Sequence, residues 1–554
     1  MKAPKPPPAP PPDTIRAALA QAASRLGASD VEVALERPRD PTHGDVATNL
    51  ALTLAKQLGE KPRAIAERLI AALELPPGLV RKTEIAGPGF INFFLAEAQV
   101  VGVLPAIIAA GADYGKSDVG RKQKINVEFV SANPTGPLHV GHGRGAALGD
   151  GIAALLGWTG WRVTREFYVN DAGTQIDKMA RSLWARVQQA AGRSAEIPEG
   201  GYHGEYLTEL AQQILKKEGK RFADLPEAEG VRRCRDSGIE AERAEQDADL
   251  REFGVRFDVV SNESSIYERG LIDATLAELA AQGHTFTAEG ALWLRTTDLG
   301  DDKDRVLKKS DGTYTYLVPD VAYHRDKHER GFVRAINVWG ADHHGYIPRM
   351  RAALRALGYP DDFLHVEIVQ LVRVIQGGGE VRFSKRTGEF VSLRDLFQET
   401  GVDAARYFFL MKRGDSQFIF DVDLAKSQTE ENPVFYVQMA HARMSGIFRV
   451  AARDPGSVRA DGVDLAVLRQ PEEIELVNEL AEFPEVVRRA AAAYEPHRVT
   501  GYLEGLARIA HAWYHKYRVL GEPEEAARLV LARAVQQVLA NGLTLLGIRA
   551  PERM

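Results

Sequence analysis

The residues best placed to do chemistry together are His139-Val140-Gly141-His142. They follow an alternating apolar run, Ile125, Val127 and Phe129, which reads as a buried strand, and a turn-rich loop of Asn133, Pro134, Gly136 and Pro137. An apolar-periodic helix is predicted from about Ala146 to Leu156, so both histidines lie where a strand hands over to a helix N-terminus. Such an end carries unpaired N–H groups and a positive partial charge, and it suits a phosphate. His139 and His142, three apart, share a face in the first helical turn, and Gly141 leaves bare backbone against which a flat ring can lie. Taken by themselves, two histidines near a helix start could equally cap it or lie on the surface.

Other stretches carry weaker chemistry. Gln376 to Arg386, QGGGEVRFSKR, is a glycine-hinged basic loop able to bring cations to a developing polyphosphate charge; alone, it reads as a flexible surface loop. Phe90 and Asn92 alternate onto one strand face, where a ring to stack and an amide to hydrogen-bond can read an unstacked base; the other reading is a core Phe and a strand-end Asn. Tyr436, His441, Trp513, Tyr514, His515, Tyr517 and Arg518 make an aromatic and basic stripe suited to splayed bases, though such stripes also form cores. The adjacent His343 and His344 have no Cys or spaced His/carboxylate partner nearby, so no metal site is expected. GADYGKS at 111–117 is one residue short of Walker A spacing and follows a helix-like run, so it is not a phosphate loop.

The elements that must position these residues divide the chain. Its 554 residues, 45% hydrophobic and 26% charged, have ordinary globular composition and length for several domains. A net charge of −6 confines any nucleic-acid surface to a local patch. The single cysteine, Cys234, excludes a disulfide framework and fits a reducing cytoplasm. Lys2 and Lys5 precede a proline run, so no signal peptide is expected; the apolar stretch Val100 to Ala112 is broken by Pro105 and too short for a bilayer. The predicted fold is multidomain. A Pro-rich tail (1–12) is extended; an N-terminal α+β domain (13–113) has helices at Ile15–Leu26, Val46–Leu58 and Pro62–Leu73, and strands at Val31–Leu35 and within Lys82–Leu95. A Rossmann-like parallel α/β domain (114–400) has strands at Arg162–Val169 and around Val366–Ile375, with a charged helical insertion at about 190–252. A connecting segment (401–430) leads into an all-α bundle (431–554), and the pattern from Thr400 onward is wholly helical.

His-x-Gly-His after a strand and a Pro/Gly loop resembles the ATP motif of class I aminoacyl-tRNA synthetases, and NVEFVSANPTGPLHVGHGRGAALGD resembles the arginyl-tRNA synthetases in particular. HGDVATN at 43–49, GPGFINF at 87–93, FDVVSNES at 257–264, DDKDRVLKKSDGTYTYLVPDVAYHRDK at 301–327, INVWGADHH at 336–344, AHAWYHKYRVL at 510–520 and the ending GIRAPERM are similar to the same family in order. The resemblance implies adenylation of L-arginine by ATP with Mg²⁺, typically with tRNA bound, and transfer to the terminal adenosine of tRNA(Arg) by a cytoplasmic monomer free of any membrane. It implies ATP contacts at His139, Gly141, His142, Arg382, Ser384 and Lys385, with His139, His142 and Lys385 catalytic. The second motif, Lys-Met-Ser-Lys-Ser, is only partly kept, because Arg382, Phe383 and Arg386 replace its first, second and last residues. A substitute lysine before the first motif is not evident, since Gly136 lies there. By the same resemblance Glu128, Ser131 and Asn133 hold the amino-acid head, while Glu263, Tyr316 and Asp320, with His343 or His344, surround the guanidinium. Phe90, Asn92, Tyr436 and Trp513 are the implied tRNA contacts. Alternatives are another nucleotidyltransferase of the superfamily and a catalytically silent tRNA-binding paralogue.

Overall fold

The computed structural model describes residues 11–95 apart from 30, 37, 39, 41 and 42, residues 101–381 apart from 172, and residues 391–554. The N-terminal helices Pro11–Arg25, Leu50–Leu58 and Pro62–Ala72 pack on an antiparallel sheet of β1 (Val46–Thr48), β2 (Val80–Ala86) and β3 (Phe90–Leu95), ordered β1-β3-β2. Ile15, Leu19, Leu50, Ile65, Leu69, Ile91 and Phe93 fill the space between.

Three local expectations are corrected here. Pro11 and Pro12 belong to the first helix, whose opening turn has no need of their missing N–H groups. Val31–Leu35 is not a strand: Val33 and Leu35 are buried, but only Glu36 bridges to Ala47. Val46–Thr48 is strand rather than helix, because it pairs with Ile91–Phe93 of β3; a short apolar run reads the same in either period until tertiary pairing decides.

The central sheet is wholly parallel: β4 (Lys124–Glu128), β5 (Arg162–Val169), β6 (Val259–Asn262), β10 (Arg334–Gly340) and β11 (Leu364–Val369), ordered β11-β10-β4-β5-β6. The chain runs outward from β4 to β6 and then returns to the other side of β4. The switch point, where a ligand crevice opens beyond the strand ends, is therefore between β4 and β10. In the chain between β6 and β10 comes a separate antiparallel side sheet, β7 (Thr285–Ala288), β8 (Ala291–Leu294) and β9 (Arg305–Lys308). The helices Glu205–Glu218 and Glu227–Glu252 of the insertion share a separate core with Thr174–Ala190, through Met179, Leu183, Trp184, Leu207 and Cys234.

The strand expected across Val366–Ile375 is two. β11 ends at Val369, the exposed Leu371 marks the break, and β12 (Val372–Gln376) leaves the parallel sheet. β12 joins β13 (Gly379–Val381) and β14 (Phe418–Asp421), the last in parallel. The segment after Thr400 is thus not wholly helical, nor is 401–430 a mere connector: it contributes the helix Val402–Leu410, β14 and the helix Val422–Lys426. The C-terminal bundle comprises Pro433–Val450, Pro471–Ala493, His497–Lys516 and Glu525–Leu545 around Leu480, Leu503, Trp513 and Val535.

Candidate active site

The helix following β4 begins at Val140, six residues before its apolar periodicity does, and runs to Trp158. His139 is therefore its N-cap and His142 its third residue, and the pair forms a reciprocal cap. The His142 N–H donates to His139 Nδ1 at 3.2 Å, and the His139 N–H donates to His142 Nδ1 at 3.3 Å. The rings stack with centroids 3.6 Å apart. Gly141 is required: a Cβ there would stand 2.9 Å from His139 Cε1. Gly149 lets the same helix approach β4, since its Cβ would meet the Phe129 ring at 2.2 Å.

These contacts fix the chemistry of the histidines. Burial lowers the pKa of His139; burial and the neighbouring His139 ring push His142 well below the usual range. Both rings are neutral near pH 7, and because each Nδ1 accepts a backbone hydrogen, the ring proton is assigned to Nε2. Two parallel Nε2–H donors therefore stand at a helix N-terminus. Beside them opens a cleft of about 240 Å³, lined by Asn133, Gln175, and Tyr202 and His203 from the insertion.

The glycine-hinged loop is tied to this helix on both flanks. Arg144, fully buried, donates to the carbonyls of Gln370 and Ser416 at 3.0 Å and of Arg413 at 2.7 Å, and so holds the entry to β12 and the segment before β14. On the far flank Val140 N–H donates to Val391 O at 3.2 Å, and Leu393 N–H to Leu138 O at 2.7 Å. Gly377 and Gly378 take φ of 58° and 76°, a left-handed turn that side chains resist. Arg382, Ser384 and Lys385 lie outside the described residues.

At the carboxyl ends of β4, β5 and β6 the structure gathers an acidic cleft. Glu128, at the end of β4, is already occupied: Lys327 Nζ lies 2.5 Å from its Oε2, and the Ser131 hydroxyl donates to its Oε1 at 3.1 Å. Val130 and Ser131 take φ of 68° and 42°, a strained pair of non-glycine residues that turns the Ser131 side chain back onto Glu128. Glu263 and Asp320 have no cationic partner among the described residues. Burial raises the Glu263 pKa and Asp171 adds to it, against a hydrogen bond from Tyr168. Burial pushes Asp320 up to about 7, with Glu128 and Glu263 adding to it, although the Tyr346 hydroxyl donates to its Oδ2 at 2.6 Å. Asp171 is spent on the backbone and hydroxyl of Ser264, at 3.0 and 2.6 Å.

Several expected members stand elsewhere. Asn133 faces Gln175, at 2.6 Å, rather than Glu128. Tyr316 is 76% exposed and does not close around Asp320. His343 and His344 are exposed on the turn Ala341–Tyr346, with His343 3.4 Å from Asp342; the residue of that turn that reaches Asp320 is Tyr346. Among the nucleic-acid candidates, Asn92 is only 4% exposed and Phe90 half-buried on central β3, whose neighbouring Phe94 ring lies under Arg81 and Lys82 at 5.6 and 5.1 Å. Trp513 is fully buried in the bundle core, with no surface to offer a base; Tyr436 is half-buried against His511, at 4.5 Å. The exposed members of that stripe are Tyr514, His515 and Arg518, and Tyr514 lies with Met439, Arg443, Arg449, Arg553 and Met554 around a groove of about 460 Å³. Lys327, Tyr168, Tyr346 and His203 were missed by sequence reasoning: Lys327 ends the matched stretch 301–327 but was given no role there, and the other three carry no local signal.

Three family models match in succession. The arginyl tRNA synthetase N terminal domain covers residues 13–95, the class I (R) tRNA synthetase catalytic domain 103–444, and the DALR anticodon binding domain 437–554. An arginine–tRNA ligase of Geobacillus kaustophilus is 49% identical over 543 residues, 97% of this chain and 98% of its own length. Another, from Anoxybacillus flavithermus, is 48% identical over 98% of both chains. The arginyl-tRNA synthetase structure from Thermus thermophilus superposes with a TM-score of 0.77 at 26% identity, over 98% of this chain and 100% of that one.

Proposed function

This chain belongs to the arginyl-tRNA synthetase family, the class I arginine–tRNA ligases, and from that membership we propose which of its residues carry out the two half-reactions on arginine, ATP and tRNA. In the first, the arginine carboxylate attacks the α-phosphorus of ATP, the bond to the bridging oxygen breaks, and pyrophosphate leaves. In the second, the 2′-hydroxyl of the terminal adenosine attacks the carbonyl of the arginyl-adenylate and AMP departs. The protein contributes position and charge rather than covalent steps. His139 and His142 direct neutral Nε2–H donors at the phosphates without adding a cation that would have to be desolvated. Lys385 follows the charge developing on the departing pyrophosphate, with Arg382 secondary and Ser384 donating a hydrogen bond. Mg²⁺ arrives on the ATP phosphates.

The observation that carries the substrate is the pair Glu263 and Asp320. Both are half-buried, face other carboxylates, and among the described residues have tyrosine donors, Tyr168 and Tyr346, but no cation to offset their charge. A planar cation with five N–H donors relieves that repulsion and takes up the free lone pairs. Glu128 and Ser131 take the head group at the opposite end, and Asn133, held on Gln175, reaches it from the side of the histidine cleft. For tRNA, the β3 face with Phe90, Asn92, Arg81 and Lys82 meets the outer corner, and the groove of Tyr514, Arg443, Arg449 and Arg553 takes the anticodon. The chain acts as a monomer in the cytoplasm, with N-terminal (13–113), catalytic (114–400) and helical (431–554) units. ATP–pyrophosphate exchange with each amino acid, with and without saturating tRNA, tests the reading: exchange should depend on arginine and reject citrulline and lysine. Equal exchange with citrulline would sink the role of the two acids.

A further inference from the structure

Lys327 is fully buried in the helix Leu317–Glu329, yet it is pointed at the ligand end of the sheet. Its Nζ lies 2.5 Å from Glu128 Oε2 and 3.3 Å from Asn337 Oδ1, and 4.4 Å from the centre of the Tyr323 ring. Asn337 and Glu128 face each other across β10 and β4, so the ammonium sits directly at the switch point. The amide of Asn337 is oriented in turn: its Nδ2 donates to His324 Nε2 at 2.9 Å, and His324 Nδ1 donates to the Asp320 carbonyl at 2.8 Å. A buried chain of hydrogen bonds thus runs from one end of the cleft to the other. It has a charge consequence. The Glu128 end is electrically neutral because Lys327 cancels it, while the Glu263 and Asp320 end has no cation among the described residues to cancel it.

We propose that Lys327 is a positioning residue that sets the polarity of the cleft. By neutralising Glu128 it makes the β4 end the one that accepts a zwitterionic head, ammonium and carboxylate together, and leaves the acidic end for the guanidinium. The inference rests on the arginine reading above. Without Lys327 both ends are anionic, and a ligand carrying a carboxylate is repelled from either. Because Lys327 has no exposed surface, it acts on a ligand through the groups it touches, Glu128 first and Asn337 second, and not by direct contact.

The test compares L-arginine with agmatine, which keeps the guanidinium and the amine but lacks the carboxylate. Dissociation constants are measured by calorimetry on the full chain with tRNA present, for wild type, Lys327→Gln, Lys327→Arg and Glu128→Gln. The guanidinium end is common to both ligands and cancels in their ratio, as does any general loss of folded protein. Lys327→Gln keeps a donor but removes the charge, and should shift the arginine-to-agmatine preference toward agmatine by about tenfold or more. Lys327→Arg keeps the charge and should stay near the wild-type ratio. Glu128→Gln leaves the cation uncancelled and should shift the ratio toward arginine; it decides the matter alone if Lys327→Gln does not fold. Folded variants whose ratios stay within about twofold of wild type overturn the proposal. A wild-type protein that binds neither ligand overturns the arginine reading itself, and Lys327 falls with it.

Discussion

Asp320→Asn is the sharpest perturbation available, because it changes one charge and almost no volume. In the structure the Tyr346 hydroxyl donates to one oxygen of Asp320 at 2.6 Å, which leaves the other oxygen for the ligand. In the variant the amide oxygen keeps the tyrosine, so the amide N–H₂ is turned toward the guanidinium. Donor then meets donor. A charge-assisted hydrogen bond contributes about 1.5–3 kcal/mol, and each 1.4 kcal/mol is roughly tenfold in affinity, so the KM for arginine should rise about 10- to 150-fold. The rise should come with a smaller change in kcat, since the guanidinium is remote from the reacting carboxylate. Citrulline, which ends in a neutral urea of nearly the same shape, should lose much less than arginine does. The assay is pyrophosphate exchange with saturating tRNA across arginine concentrations, with citrulline as competitor. If Asp320→Asn is folded and leaves both the arginine KM and the discrimination against citrulline unchanged, Asp320 is not a guanidinium ligand and the argument from its environment is wrong.

Further outcomes follow from the same geometry. Asp320 titrates at about 7 in the folded protein and must ionise to bind arginine, so the arginine KM should fall as pH rises through that value and level off above it, with Asp320→Asn flattening the profile. Its pKa is raised rather than depressed, so its protonation adds stability to the free protein as pH falls from about 7 toward 4, and thermal melts of wild type against the Asn variant should separate with that sign. His142→Ala should lower the adenylation rate by about 10²–10³ while sparing tRNA affinity, and Gly141→Ala should act in the same direction by displacing the His139 ring; unchanged rates in both would remove the pair from catalysis. Lys385→Ala should slow adenylate formation more than Arg382→Ala, and the reverse order in single-turnover assays would move the main cationic role to Arg382. Tyr514→Ala should weaken tRNA binding by about 1–3 kcal/mol in filter-binding titrations without changing the arginine KM.

What the sequence made legible was local. A strand, a Pro/Gly turn and a helix follow one another within residues 124–158, so the strand-to-helix turn that carries both histidines could be placed from the sequence. Even there the helix start was misjudged, because Gly141, Gly143 and Gly145 conceal the first turns from apolar periodicity; the histidines share a face in the first turn as expected, as its cap and third residue. Two residues closing on each other across a break in the sequence left no such trace. β14 is four residues long and pairs with β12 from far upstream, so its apolar run passed as helix. Trp513 was read from its type and spacing, but an aromatic at helical spacing does not say which side of the helix faces the bundle.

Lys327 illustrates the deeper limit. It sits in the run His324-Arg325-Asp326-Lys327-His328-Glu329, which by composition is a solvated helix face, yet Lys327 is fully buried and His324 is pushed down to about 3 by burial and by that ammonium. A charged side chain is taken inside only where a partner of opposite charge waits, and the partner here is 199 positions away in the chain. Pattern rules weigh each segment against water. They are blind to a helix whose charged face is directed at the carboxylate ending a central strand. The acidic end of the cleft follows from the same logic in reverse: Glu263 and Asp320 look like ordinary surface acids in sequence, and only the folded sheet brings them together without a cation. Charges of both kinds are therefore informative in the structure where they fail the usual expectation, the cation by being buried and paired, the anions by being half-buried with no cationic partner among the described residues.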